Sequence, residues 1–361
     1  MMKTPGSLLR RKYLLVPALA AVVLILALGG ISRLMRPVGG DTEYLVDCVK
    51  GAPLQRVAAD LEKRGVIRSA RAFVWLARLR GEDDRIKVGT YQVRGDMTPL
   101  QILRKMVAGE VYAHRFAVPE GYSIYQLAEL LEAREIFGRR EFLAACADRQ
   151  LLRDLDVPGP SVEGYLFPAT YMITPAMKPA EVIRMMVAQF DRVYAGRFGA
   201  AGRGQAAARH RLVTLASLVE KEAVAASERP IIASVFYNRL KRGMRLQSDP
   251  TSVYGVRAFA GNVSSRDVRR KNPYNTYQID GLPPGPIGNP GVEALQAVMA
   301  PARTPYLYFV ARKDGTHFFS TTLDQHNSAV TTYLKGAAGK RAAGKRATGY
   351  RNDDPSLTGR R

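Results

Sequence analysis

The chain has 361 residues, with 54 Lys+Arg against 32 Asp+Glu for a formal charge of +22, and 47% of it is apolar. That apolar content supports packed domains and excludes disorder as the main state, while the length predicts two or three domains. Two cysteines, Cys48 and Cys146, exclude a disulfide-dense scaffold and a four-thiolate zinc site; His114, His210, His317 and His326 form no HExxH pair, so no metal is expected.

The first element is apolar. Residues 1–13 carry Lys3, Arg10, Arg11 and Lys12 without an acid, and Leu14 to Ile31 (LLVPALAAVVLILALGGI) is uncharged. About 18 such residues are the shortest stretch that crosses a bilayer as a helix. The basic residues before it, and Asp41 and Glu43 beyond it, favour a cytoplasmic amino terminus. Residues 14–31 are then a transmembrane anchor in the cytoplasmic membrane, with the remainder outside the cytoplasm. A cleaved signal peptide competes, because Ala27-Leu28-Gly29 resembles a small-x-small cleavage site, but the apolar core is long for a signal. Cys48 and Cys146 could pair in that compartment, yet they fall in separate subdomains, and two unrelated buried thiols are expected.

Residues 41–113 read as a small α/β subdomain. The order is a strand (Tyr44 to Asp47), a helix (Leu54 to Arg64), a helix capped by Ser69 and stopped at Gly81, and a strand (Val88 to Val93). Thr98-Pro99 opens a further helix that closes near Gly109. The βααβ order resembles the LysM module, a peptidoglycan-binding fold. An offset of 70 residues sets Gly51 on Gly121, Val57 on Leu127, Ala58 on Ala128 and Leu61 on Leu131, and Ser123 with Gln126 makes a capping box for the second copy. This predicts two small α/β modules rather than a solenoid.

Residues 114–335 form the larger block, with an overall α+β fold expected because strict βαβ alternation is missing. Arg209 to Ala226 reads as a helix with Leu212, Leu215, Ala216 and Val219 on its apolar face and Glu220 at the edge. Ser227 is expected to cap a second helix that ends at Gly243. A Pro/Gly run, Gly281 to Gly291, is either a cleft wall or a stiff connection. Tyr306 to Val310 and His317 to Ser320 read as a hairpin around Asp314-Gly315. Residues 336–361 are expected to be a disordered basic tail. Outside it the positive charge is scattered singly along helices and not interleaved with aromatics, which argues against nucleic acid as a partner.

No GxSxG motif or phosphate-cradling glycine loop is present, so serine-hydrolase and nucleotide chemistry are disfavoured. What remains is a set of carboxylates among Tyr, Asn and Gln, the palette of a sugar-binding cleft. Cleaving a glycosidic bond needs a carboxylic acid whose pKa is raised by apolar surroundings, and Glu220, after Leu218-Val219, fits this best. Glu-Lys-Glu is also a common solvated helical string.

Glu220-Lys221-Glu222, Ser227-Glu228-Arg229, Ala233-Ser234-Val235-Phe236-Tyr237-Asn238-Arg239-Leu240, Gly243 to Thr251 (GMRLQSDPT), Tyr274-Asn275-Thr276-Tyr277, Gly281 to Ile287 (GLPPGPI) and Thr304 to Val310 (TPYLYFV) occur in this order. Together they resemble the endolytic murein transglycosylase (YceG-like) family, over roughly residues 40 to 335. The resemblance implies lytic cleavage of nascent peptidoglycan glycan strands, without a cofactor, between N-acetylmuramic acid and N-acetylglucosamine. The first Glu of the Glu-Lys-Glu string, Glu220, would be the single catalytic acid. It protonates the glycosidic oxygen and then takes the proton of the 6-hydroxyl as that oxygen closes on C1 to a 1,6-anhydro end. Glu163, in a segment that resembles the family's Glu-Gly-x-x-x-Pro, either lines the cleft or polarises Glu220, or else stabilises a turn beside Gly164. Asp249 is a second acid or a turn former; Gln247, Asn275 and Tyr277 would bind N-acetyl sugars; His317 is expected to be a packed strand residue. Two other readings stay open: a two-carboxylate muramidase using Glu220 with Asp249 or Glu163, and a non-catalytic glycan-binding scaffold. The anchor would bring the chain beside membrane-bound glycan polymerases without naming one.

Overall fold

A computed structural model describes residues 6–49, 51–199, 206–256 and 263–335, and the side chains among them except those of residues 6–20 and 335. The expected basic tail, residues 336–361, lies outside the described residues. The chain is mixed α and β and divides into two units, residues 1–116 with 172–177, and residues 117–171 with 178–361.

The first unit opens with α1 (Gly6–Met35), a helix of 30 residues that contains the whole apolar stretch. Among the described residues, no helix is long and apolar enough to cross a membrane. The expected anchor begins in residues 14–20, whose side chains lie outside the description. Beyond α1, β1 (Glu43–Cys48), α2 (Leu54–Lys63), α3 (Ala70–Leu79), β2 (Gly89–Arg94) and α4 (Pro99–Ala108) follow the βααβ order and the added helix read from the sequence. β1 and β2 pair antiparallel, from Glu43 opposite Arg94 to Cys48 opposite Gly89. Alternation sends Val46 and Cys48 inward from β1 and Tyr91 and Val93 from β2, onto Val57, Ala58 and Leu61 of α2 and Phe73 of α3. Each large side chain buried there contributes about 2 kcal/mol. Local signals start the helices. Ser69 accepts from the Ala72 N–H at 3.3 Å, and Thr98 and Gln101 form a reciprocal capping box with Pro99 in the first turn.

In the second unit the repeat recurs. β3 (His114–Ala117) and β4 (Thr170–Ile173) form a two-stranded sheet. Between them lie α5 (Ile124–Ala133), α6 (Arg139–Cys146) and α7 (Arg149–Asp154). Ser123 and Gln126 form the expected capping box. Leu127, Ala128 and Leu131 are buried as their counterparts Val57, Ala58 and Leu61 are. Cys48 and Cys146 are both buried and both free thiols, as expected.

The rest of this unit is built around α9 (Ala206–Glu222), which follows α8 (Pro179–Phe198). α9 is not half-apolar: every residue from Val213 to Val219 is buried, because α10 (Arg229–Lys241), α11 (Asp249–Val253) and α13 (Val292–Met299) all pack on it. It also ends four residues before the expected Ala226. Ser227 is not a cap. It lies inside a single 3-10 turn, Ala226–Glu228, which leads directly into α10 with Pro230 in the first turn. The Pro/Gly run is a stiff connection pinned to α9, with the Ile287 N–H donating to Ser217 Oγ at 3.0 Å. α12 (Ser265–Arg269), the antiparallel hairpin of β5 (Tyr308–Ala311) and β6 (His317–Ser320), and α14 (Leu323–Val330) complete the unit.

Candidate active site

A helix turns about 100° per residue, so three consecutive side chains at its end point in three directions. The end of α9 uses this, and Glu220, Lys221 and Glu222 each meet a different neighbour.

Glu220 faces α10 and α13. Arg229 Nη2 donates to its Oε1 at 3.2 Å and the Gly291 N–H to its Oε2 at 3.0 Å. The pair is enclosed, the Glu220 side chain being 7% exposed and that of Arg229 11%. Arg229 also reaches Glu293 at 2.6 Å. Held by a guanidinium and a backbone donor, the carboxyl does not sit in the apolar pocket expected for this residue.

Lys221 turns toward the start of α5, where its Nζ lies 3.4 Å from Gln126 Oε1, and burial lowers its pKa. Behind it sits Glu163, 1% exposed. The Ile124 N–H donates to both Glu163 oxygens at 3.2 and 2.9 Å, Tyr254 OH donates at 2.8 Å and Asn289 Nδ2 at 3.2 Å. Burial raises the carboxyl to about 7 against the pull of these bonds and of Lys221. Glu163 therefore fastens the amino end of α5 to the Pro/Gly run; enclosed in this way, it does not line a cleft. Asn289 is the partner that sequence reasoning passed over. It is wholly buried, accepts from the Leu166 N–H at 2.9 Å and donates to Tyr122 O at 2.8 Å.

Glu222 faces the third way, into a groove of about 810 Å³ that it lines with Gln247, Asp249, Tyr277, His317 and His326. Ser248 Oγ donates to its Oε1 at 2.6 Å. Desolvation, with the Asp249 charge adding to it, raises this carboxyl to about 7, against the Ser248 and Asp249 N–H hydrogen bonds and Arg239. No cation is bonded to it among the described residues. Its carboxyl, raised to about 7, stands beside open space.

The groove gathers three of the expected binding residues. Tyr277 OH donates to Asp249 Oδ1 at 2.6 Å. Gln247 holds a left-handed backbone (φ 52°), which turns its amide so that Oε1 accepts from buried Arg239 at 3.1 Å. Asn275 is not among them. It is wholly buried, its Nδ2 donates to the carbonyls of Asp267, Val268 and Arg270, and its Oδ1 accepts from the Tyr277 N–H at 3.1 Å. It organises the loop that carries Tyr277 and has no atom left for a sugar. His317 is packed on its strand as expected, but it has a partner: Glu228, 2.7 Å from Nδ1.

A model of the YceG-like family matches residues 46–332. An endolytic murein transglycosylase of Bacillus subtilis strain 168 is 33% identical over 319 residues, 83% of this chain and 88% of that protein. One from Streptococcus pneumoniae is 28% identical over 317 residues, and the match spans 57% of that longer protein. The crystal structure of a YceG-like protein from Listeria monocytogenes superposes with a TM-score of 0.55 at 31% identity, over 80% of this chain and 100% of that one. By the span of the family match and its identity to these relatives, the chain belongs to the YceG-like family.

Proposed function

We propose that this chain is an endolytic murein transglycosylase in which Glu222 is the acid and base. The relatives named for that activity support the reaction. The observation that carries the assignment is the contrast along one helix end: Glu220 is ion-paired and enclosed, whereas Glu222 lies in the groove with its carboxyl raised to about 7. A glycan strand lying in the groove places a glycosidic oxygen against the protonated Glu222, which donates its proton as positive charge develops at C1. The carboxylate then accepts the proton of the muramic acid 6-hydroxyl while that oxygen closes on C1. Ser248 holds the carboxyl in place through both steps. Tyr277 and Gln247 offer a hydroxyl and an amide to the N-acetyl sugars.

The apolar helix supports a place for the enzyme. Val23, Leu24, Ile25 and Leu26 of α1 are exposed among the described residues, as expected of a single-pass anchor in the cytoplasmic membrane with the catalytic unit outside the cytoplasm. That position sets the enzyme beside membrane-bound glycan polymerases. The βααβ order of the first unit supports a LysM-like module.

The test is mass spectrometry of products from uncrosslinked glycan strands. Anhydro ends, one water lighter than reducing ends, that disappear in Glu222→Gln are expected. Reducing ends would move the chemistry to a hydrolase that uses Asp249 as second carboxylate. Cleavage that survives in Glu222→Gln and disappears in Glu220→Gln would return the acid role to Glu220.

A further inference from the structure

The outward side of α3 is unusual for a helix facing water. Trp75 and Leu79 are 64% and 79% exposed, although Phe73, Val74 and Ala77 of the same helix are buried. Arg71 and Arg78 stand beside them, at the spacing of three and four residues that puts all four on one side. Arg71, Trp75 and Arg78 line a shallow groove of about 220 Å³ with Gln55. Neither arginine is paired with a carboxylate among the described residues, whereas Arg80 is held by Glu82 at 3.0 Å.

The position of this face within the first unit selects its partner. Pro37 is two residues past the end of α1, and Arg68 Nη2 donates to its carbonyl at 3.1 Å. Gly39 N donates to Gly95 O at 2.9 Å, so the chain leaving α1 is fastened to the unit at a second point. Arg68 directly precedes Ser69, the cap of α3, and α3 itself touches α1. The exit of α1 and the start of α3 are therefore at one level. A tryptophan flanked by arginines at the level where an anchor leaves the bilayer has the chemistry of the headgroup region. The indole sits at the interface, and the guanidinium groups meet lipid phosphates.

We infer that the Arg71, Trp75, Arg78 and Leu79 face of α3 rests on an anionic lipid surface beside the anchor, fixing how the first unit stands on the membrane. This rests on the reading of α1 as the anchor. The ligand is a phospholipid headgroup layer carrying net negative charge, and the contact is made by Trp75 and Leu79 from the apolar side and by the two arginines from the polar side.

Trp75 is the only tryptophan in the chain, so its emission reports on this face alone. The full-length chain is reconstituted into phosphatidylcholine vesicles with and without phosphatidylglycerol, and carbonate extraction reports insertion of α1 separately. The expected result is a blue-shifted Trp75 emission in the anionic vesicles, quenched by lipids brominated high on the acyl chain. Both effects should be lost in the Arg71→Glu, Arg78→Glu double variant, whose circular dichroism and melting are unchanged because both side chains are exposed. Protein that resists extraction but keeps water-like, unquenched emission overturns the inference and leaves the anchor standing. Protein that is extracted yet quenched supports the lipid face and removes the anchor; extracted and unquenched protein overturns both. Emission that responds to added glycan strands and not to lipid assigns the face to glycan and overturns the inference.

Discussion

Ser248 Oγ lies 2.6 Å from Glu222 Oε1, and this bond sets Glu222 apart from Glu220, the glutamate that the sequence singles out. Glu220 meets Arg229 from α10, and Glu222 meets a serine hydroxyl at the start of α11. Glu222→Gln keeps the shape and removes the proton, so anhydro product formation should fall by about 10²–10⁴-fold, the usual worth of a positioned general acid. Its melting temperature should stay near or above the wild type's, because a charge that burial disfavours is gone. Glu220→Gln leaves Arg229 enclosed with Glu293 alone, and should cost about 2 kcal/mol of stability by thermal or urea unfolding while most activity survives. Abolished turnover in a well-folded Glu220→Gln would assign the chemistry the other way.

The pH dependence follows from the same carboxyl. Burial holds Glu222 protonated to about 7, so the rate should lose its acid as pH rises through about 7, on the high-pH limb of kcat/KM. Glu163 adds a stability effect of defined sign. Its pKa is raised from 4.5 to about 7, so between these values the folded state binds more protons than the unfolded one. Stability is then full below about 4.5, declines as pH rises through the window, and is lowered by about 3 kcal/mol above it. Glu163→Gln should flatten that part of the stability curve measured by urea unfolding. It should leave the high-pH limb of the rate in place, because the limb belongs to Glu222.

What the sequence made legible is what local chemistry dictates. The Thr98-Pro99 start, the capping box at Ser123 and the offset repeat are short-range signals, and the helices begin where those residues place them. The burial of α9 on all sides was not legible, because α10, α11 and α13 arrive from later in the chain. The same distance hides the site. Arg229, nine residues after Glu220, encloses one glutamate in an ion pair, and Ser248, 26 residues after Glu222, holds the other at a groove. Family motifs point to the Glu-Lys-Glu string, and tertiary contacts distinguish its members. Asn275, expected to bind sugar, and Glu163, for which a structural role is one of the readings, show the converse. Amide and carboxyl groups that suit a sugar suit a buried loop equally well, and only the tally of their hydrogen bonds tells which use is made of them.

Asn275 offers a test of that distinction. Its Nδ2 faces three carbonyl oxygens at 2.8 to 3.2 Å. Asn275→Ala leaves those carbonyls and the Tyr277 N–H short of a partner and should cost about 2 kcal/mol. Asn275→Asp puts an acceptor, and charge, against three acceptors and should cost more than the alanine variant, although it is the closer match in shape. A residue that bound sugar from the groove would give the opposite order in thermal unfolding, with little cost from either change and a raised KM from both.

Gly164 follows Glu163 and joins the two halves of the buried network. Its φ of +86° favours glycine, and an added Cβ would collide with Pro286 Cγ and lie 2.8 Å from Val213 Cγ1. Pro286 is rigid, and Val213 is wholly buried on α9. Neither can retreat cheaply, so Gly164→Ala combines backbone strain with overpacking and should cost about 3 kcal/mol or more. The damage should reach the reaction as well. Moving Pro286 shifts the run pinned to Ser217 of α9, the helix that ends in Glu222. Gly164→Ala is therefore expected to lower the melting temperature and kcat together. Gly243→Ala, also at positive φ (+66°) but with open space around its Cβ position, should cost about 1 kcal/mol and leave kcat unchanged. Equal losses from the two substitutions would mean that backbone strain alone, and not the packing of the Pro/Gly run on α9, sets the requirement for glycine at position 164.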